Sequence, residues 1–178
     1  MSIVSYAQNF EDVMHWRALG HIKHGLYIDI GAQDPVVDSV SMTFHQRGWN
    51  GVHVEPVQHD AELLPQQRSG DVVLQAAVGN KERNIPFFKV VNTGLSTLSA
   101  SVAEQHSTRF EVNEISVACI TLKTIFNTCN SGAIHWLKID VEGSENQVLE
   151  SWGTSLARPW VVVIESTLPS KEIQNHEI

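Results

Sequence analysis

What the chain has little of narrows it first. Its two cysteines, Cys119 and Cys129, show no Cys-x-x-Cys spacing, so they read as reduced thiols in a reducing compartment, with a single disulfide between them left open. No basic run exceeds two residues and the formal net charge is −8, which argues against nucleic acid, because that binding needs Lys and Arg to neutralise phosphates. No apolar stretch reaches membrane-spanning length, and the amino terminus has no charged head followed by an apolar core, so the expectation is a cytoplasmic protein without a membrane span. Internal repeats and low-complexity tracts are missing too. What is present, 178 residues of which 42% are hydrophobic, suits a single domain over 1–178 with one sizeable core.

The chain is organised around Tyr27-Ile28-Asp29-Ile30-Gly31-Ala32, a β-branched and aromatic run that breaks at a glycine. Residues 36–49 then carry Val36, Val37, Val40, Phe44 and Trp49 at mostly helical spacing, with Asp38 and Ser39 near the expected helix start. A second strand-like run, Gly51-Val52-His53-Val54, ends on Glu55, 24 residues after Gly31. A β-α-β unit with an acid at its second strand tip is a way of holding a ribose.

Which ribose-bearing ligand is decided by a second scarcity. A dinucleotide fingerprint needs three spaced glycines, and here Gly31 is followed by Ala32, Gln33, Asp34 and Pro35. Asp29, Asp34 and Asp38 would moreover repel a phosphate at this turn. A cationic, phosphate-free ligand fits better, and S-adenosyl-L-methionine has that chemistry. Gly31→Val is accordingly expected to abolish cofactor binding while leaving much of the fold.

The glycine turn with Glu55, together with Ser5-Tyr6-Ala7-Gln8-Asn9-Phe10-Glu11-Asp12, Gly94-Leu95-Ser96-Thr97-Leu98 and Leu137-Lys138-Ile139-Asp140-Val141-Glu142-Gly143-Ser144-Glu145, resembles the FkbM family of methyltransferases, in order and over about 5–169. The resemblance implies an α/β, Rossmann-like, doubly wound and mostly parallel sheet of the class I methyltransferase type. It also implies O-methylation of a hydroxyl on a sugar, glycan precursor or related natural product, and it raises Gln8 and Asp12 as cofactor contacts over their plainer reading as a solvated helix face. The family's sheet normally closes with an antiparallel pair, for which 169–178 has no room; either the sheet lacks its last two strands because the sequence is a fragment, or it closes differently.

Read in order, 5–19 is expected to be a helix capped by Ser5, with Phe10, Val13, Met14 and Leu19 as its apolar stripe, the main part of a helical cap over 1–24. A helix over 57–68 and a third strand over 71–79 follow; there Ala76 and Ala77 either leave room for the adenine or are ordinary packed residues. Runs 85–91 and 114–120 read as a hairpin-like pair carrying a long loop, and 93–113 as a lid or acceptor-binding segment with Ser96, Thr97 and His106 as polar handles. Thr121 caps a helix through Cys129; 133–139 is a fourth parallel strand, 144–152 its helix, and 160–165 a fifth strand covered on both faces.

Asp29, Glu55, Asp140, Glu142 and Glu165 thus fall at or near strand ends, where open parallel sheets bind ligands. Asp29, Gly31, Ala32, Glu55 and Asp140 are the expected cofactor contacts with Gln8, Asp12, Ala76 and Ala77. Asp140, Glu142 and His106 are the candidate bases, and Ser96, Thr97 and Glu165 the candidate acceptor contacts. The acids could instead hold Mg²⁺, but no spacing demands a metal, and His21 and His24 read as surface histidines. Two rival functions stand beside this one: a non-catalytic adenosyl-binding module, and a nucleotide-sugar or NAD-dependent enzyme.

Overall fold

The computed structural model describes residues 3–129 and 132–165. Strands β1 (Leu26–Ile30), β2 (Asn50–Val54), β3 (Val72–Leu74), β7 (Trp136–Ile139) and β8 (Val161–Ile164) form one sheet in the order β3-β2-β1-β7-β8. Every adjacent pair in it is parallel. The two faces of β1 show why it sits at the centre. Ile28 and Ile30 join Val52, Val54, Leu137 and Ile139 beneath α5 (Leu122–Thr128) and α6 (Glu145–Glu150). Tyr27 instead packs with Trp136, Phe44 and Trp49 on the other face, its ring stacked on Trp136 at 4.8 Å between centroids. Helices cover both faces, as the doubly wound reading requires.

The hairpin-like pair expected over 85–91 and 114–120 is present, but it belongs to a separate, smaller sheet that the sequence did not reveal. β4 (Ala77–Val78), β5 (Arg83–Val90) and β6 (Val112–Ile120) assemble as β4-β6-β5, with β5 and β6 antiparallel from Arg83↔Cys119 to Val90↔Val112. The expected third strand over 71–79 is therefore divided: Gln75 and Ala76 turn the chain, β3 stays on the parallel sheet, and β4 pairs with β6. The segment between β5 and β6 contains α4 (Ala100–Ser107), capped by Ser99.

Helices start later than their periodicity predicts. α1 is Glu11–Leu19, because the buried Asp12 carboxylate draws the preceding chain into a turn, accepting from Ser5 Oγ at 2.7 Å and from the Tyr6 N–H at 2.8 Å. Ser5 is therefore no cap. The buried face of α1 is Asp12, His15 and Leu19, while Phe10 and Met14 are exposed. The helix expected over 36–49 shrinks to α2 (Met42–His45). Asp34, rather than Asp38 or Ser39, accepts from the N–H groups of Val36 and Val37, an Asx turn that competes with helix. This turn is tied down by Arg68, at the end of α3 (Gln58–Gln67); its fully buried guanidinium donates to the Pro35 carbonyl and to Ser39 Oγ.

Thr121 caps α5 through Oγ1, as expected. β8 departs from its sequence reading, since Val162 and the preceding Trp160 are exposed among the described residues, so the strand is not covered on both faces. The expectation about 169–178 and the closing strands lies outside the described residues. Among the described residues no helix is long and apolar enough to cross a membrane. Cys119 and Cys129 are free and buried.

Candidate active site

The carboxyl ends of β1, β2, β7 and β8 open on a cleft of about 410 Å³, closed on its far side by the 92–98 segment that follows β5. Its floor is the turn after β1. Gly31 holds φ 74°, and a Cβ there would run into the Asp140 carbonyl oxygen, so only glycine lets the two strand ends meet. That contact corrects the sequence-based view of Gly31→Val: the added atoms strike the backbone of β7's end, and the fold is damaged along with any ligand site.

Among the described residues, eight carboxyl groups and one ammonium line the cleft, with no arginine or histidine. Glu55 is 4% exposed. Its Oε2 accepts from the Gln33 N–H at 2.9 Å and its Oε1 from the Val57 N–H at 2.8 Å, so the acid is pinned between the β1 turn and the start of α3. Burial pushes its pKa up to about 7, against the lowering effect of those two N–H groups.

The one ammonium belongs to Lys138, a residue the sequence reading quoted in a motif but gave no role. Register explains it, since Asp29 and Lys138 are direct neighbours across the β1–β7 pair. Lys138 Nζ lies 3.5 Å from Asp29 Oδ1 and 3.0 Å from Asp140 Oδ2, and donates to the Gly31 carbonyl at 3.1 Å. Burial pushes this ammonium's pKa down, yet the two carboxylates hold it above the ordinary value.

Beyond Asp140, the cleft acids crowd. Carboxyl oxygens of Asp140, Glu142 and Glu165 all lie within 4.8 Å of one another. Burial and then Asp140 and Glu145 push Glu142 up to about 7, and burial, Asp140 and Glu142 push Glu165 up to about 8. The trio has the oxygen donors a divalent cation takes, but the Lys138 ammonium already balances Asp140 from 3.0 Å.

The structure brings Gln8, Asp29, Gly31, Ala32, Glu55, Ala76, Ser96, Asp140, Glu142 and Glu165 together around the one cleft. Four residues singled out from sequence do not line it. Asp12 is fully buried and spends its oxygens on the 5–7 segment, Val13 and Thr43. Ala77 belongs to β4 and packs with Val57, Phe87 and Val117. His106 lies on α4 against Phe110, and Thr97 is fully buried. His21 and His24 are exposed in the turn after α1. Glu11, Gln33, Asp38 and Asn92 also line the cleft and were missed. Gln33, Asp38 and Asn92 have left-handed backbones, as does Glu142, a property that tertiary contacts impose and periodicity does not report.

A family model for the methyltransferase FkbM domain matches residues 29–178. The chain belongs to the FkbM methyltransferase family. Searches of curated proteins and of solved structures each return no match. The FkbM match runs from the end of β1 through β8 and so covers the glycine turn, Glu55, the second sheet and the acid trio. The protein is a methyltransferase with a Rossmann-like fold, and its candidate site is the acidic cleft.

Proposed function

We propose that this FkbM protein is an S-adenosyl-L-methionine-dependent O-methyltransferase acting on a hydroxyl of a sugar, glycan precursor or related natural product, working in the cytoplasm where its two thiols stay reduced. The observation that carries the reading is the composition of the cleft: eight carboxyls, one paired ammonium and a buried Glu55 at the tip of β2. A pyrophosphate would meet repulsion from the carboxyls at the strand ends, whereas a ligand with a sulfonium, an ammonium and a ribose is matched. When bound, adenosylmethionine supplies a methyl on a sulfonium, whose C–S bond breaks as the acceptor oxygen takes the methyl and sulfur keeps the electron pair.

The chain's own residues do the rest. Glu55 would hold the ribose hydroxyls with the lone pairs its two N–H partners leave free. Gly31 and Ala32 let the backbone approach, and Asp29 and Asp140, joined by Lys138, face the cationic centre. Along the rim, adjacent strands are about 4.8 Å apart, so a ribose over β2 puts the reacting centre over β1 and β7, with the acceptor toward β8 and the 93–113 segment. There Glu142 takes the acceptor's proton. Asp140 is the poorer base because its charge is already balanced by Lys138, while Glu142 titrates near neutrality. Ser96 and Glu165 meet the acceptor.

Calorimetric titration with adenosylmethionine, its demethylated product, NAD and a nucleotide sugar tests the proposal. Binding of the first two alone is expected. Binding of NAD or the nucleotide sugar, with neither adenosyl ligand bound, would overturn it.

A further inference from the structure

Thr97 looks from sequence like an acceptor contact, yet it is 0% exposed and its hydroxyl is used on both sides. Its Oγ1 donates to the Glu142 carbonyl at 2.7 Å and accepts from the Ser99 N–H at 2.9 Å. Its backbone is fixed to β5 by a pair of hydrogen bonds with Phe88, at 2.9 and 3.0 Å. The peptide it grips is unusual: Glu142 has φ 52° and Gly143 φ 91°. Two consecutive left-handed residues are a conformation a glutamate enters only at a cost, and it persists only where neighbours impose it. From the other side the same turn is bounded by α4, since a Cβ on Gly143 would come within 3.2 Å of Val102 Cγ2.

We propose that Thr97 is a positioning residue acting through Glu142: its hydroxyl holds the left-handed turn after β7, so that the Glu142 carboxyl faces the cleft beside Asp140 and Glu165. The segment between β5 and β6 thereby does more than cover the cleft; it sets one of the acids. The inference rests on the proposed methyl transfer with Glu142 as base. A base that reaches the acceptor oxygen lies within about 6 Å of the methyl-bearing sulfur, so its charge is felt by the sulfonium and not by the uncharged sulfur of the product.

The test is a double-mutant cycle read as the ratio of product to substrate dissociation constants, measured by calorimetry with adenosylmethionine and its demethylated product at one alkaline pH and one salt concentration. Glu142→Gln is expected to lower that ratio about three- to tenfold. Thr97→Val, which keeps the volume but not the hydroxyl, should lower it by a similar factor. Thr97→Ser should restore it to within about twofold, and Thr97→Val should add nothing in the Glu142→Gln background. A wild-type ratio in folded Thr97→Val overturns the inference, and so does an equal loss in both backgrounds, which would show the effect bypassing Glu142. Where thermal unfolding shows Thr97→Val unfolded, Gly143→Ala strains the same turn from the α4 side and takes its place in the cycle with the same two outcomes. A wild-type protein that binds neither ligand overturns the adenosyl reading itself, which separates that failure from this one.

Discussion

Glu55 has one backbone N–H on each oxygen and lines the cleft at the tip of β2, so replacing it removes the proposed ribose contact. Glu55→Ala is expected to weaken adenosylmethionine and its product by a similar factor, roughly ten- to a hundredfold, as one or two charge-assisted hydrogen bonds are lost; paired calorimetric titrations check it, and unchanged constants would remove the ribose assignment. Gly31→Ala should behave differently. Its Cβ meets a backbone oxygen at positive φ, and the strain should cost about 2–4 kcal/mol and lower the Tm by roughly 5–15 °C; an unchanged melting curve would contradict the close approach of β1 and β7. The acids of the rim were legible because each ends a recognisable β run. Lys138 was not, since its significance lies in a register partner more than a hundred residues away.

The 93–113 segment is anchored at one end and open at the other. Thr97 and Ala103 are buried, whereas 107–111 is exposed throughout. Hydrogen exchange in the unliganded protein should therefore be slower across 97–103 than across 104–111, and the reverse order would mean that the Thr97 anchor does not hold in solution. The parallel strands could be found from sequence because buried β-branched runs are distinctive. The division of 71–79 between two sheets could not, because both halves are apolar and only their partners differ. Helix periodicity misled at 36–49 for a related reason: Val40, Phe44 and Trp49 do face the core while Val37 is exposed, and the Asp34 turn and the Arg68 clamp, not a continuous helix, set that arrangement. His106, expected to be a polar handle of the acceptor segment, sits on α4, and nothing local revealed that the helix carries it away from the cleft.

Concentrating carboxyls on one rim has a consequence for the protein's stability against pH. An unfolded glutamate titrates near 4.5, and folded Glu55 near 7. Between these values the folded state binds more protons, so its stability is fully present at low pH and falls as the pH rises through 7. For Glu55 alone the loss approaches about 3 kcal/mol. Glu142 and Glu165 act in the same direction. Asp71 opposes them: burial pushes it up, but hydrogen bonds from His53, Tyr27 and the Gly51 N–H together hold it below the usual carboxylate range, and its contribution is lost as the pH falls. Urea unfolding should give a wild-type midpoint lower at pH 8 than at pH 5.5, with a smaller difference in Glu55→Gln. Equal pH dependence in the two proteins would mean that Glu55 is not buried as described.

The two sheets share no strand, and that separation bears on how such a protein can diversify. The wall proposed for the cofactor comes from the parallel sheet, and the acceptor side is shared between the end of β8 and the 92–98 segment that follows β5; apart from Gly94, where a Cβ would strike the Gln33 side chain of the β1 turn, substitutions in 92–98 can accumulate without unsettling that turn or Glu55. Drift of acceptor preference in this architecture is therefore cheap in stability, subject also to a matched joint: a lineage that alters Thr97 or Val102 must alter the Glu142–Gly143 turn with it, and chimaeras that cross this joint would misplace the acid proposed as the base.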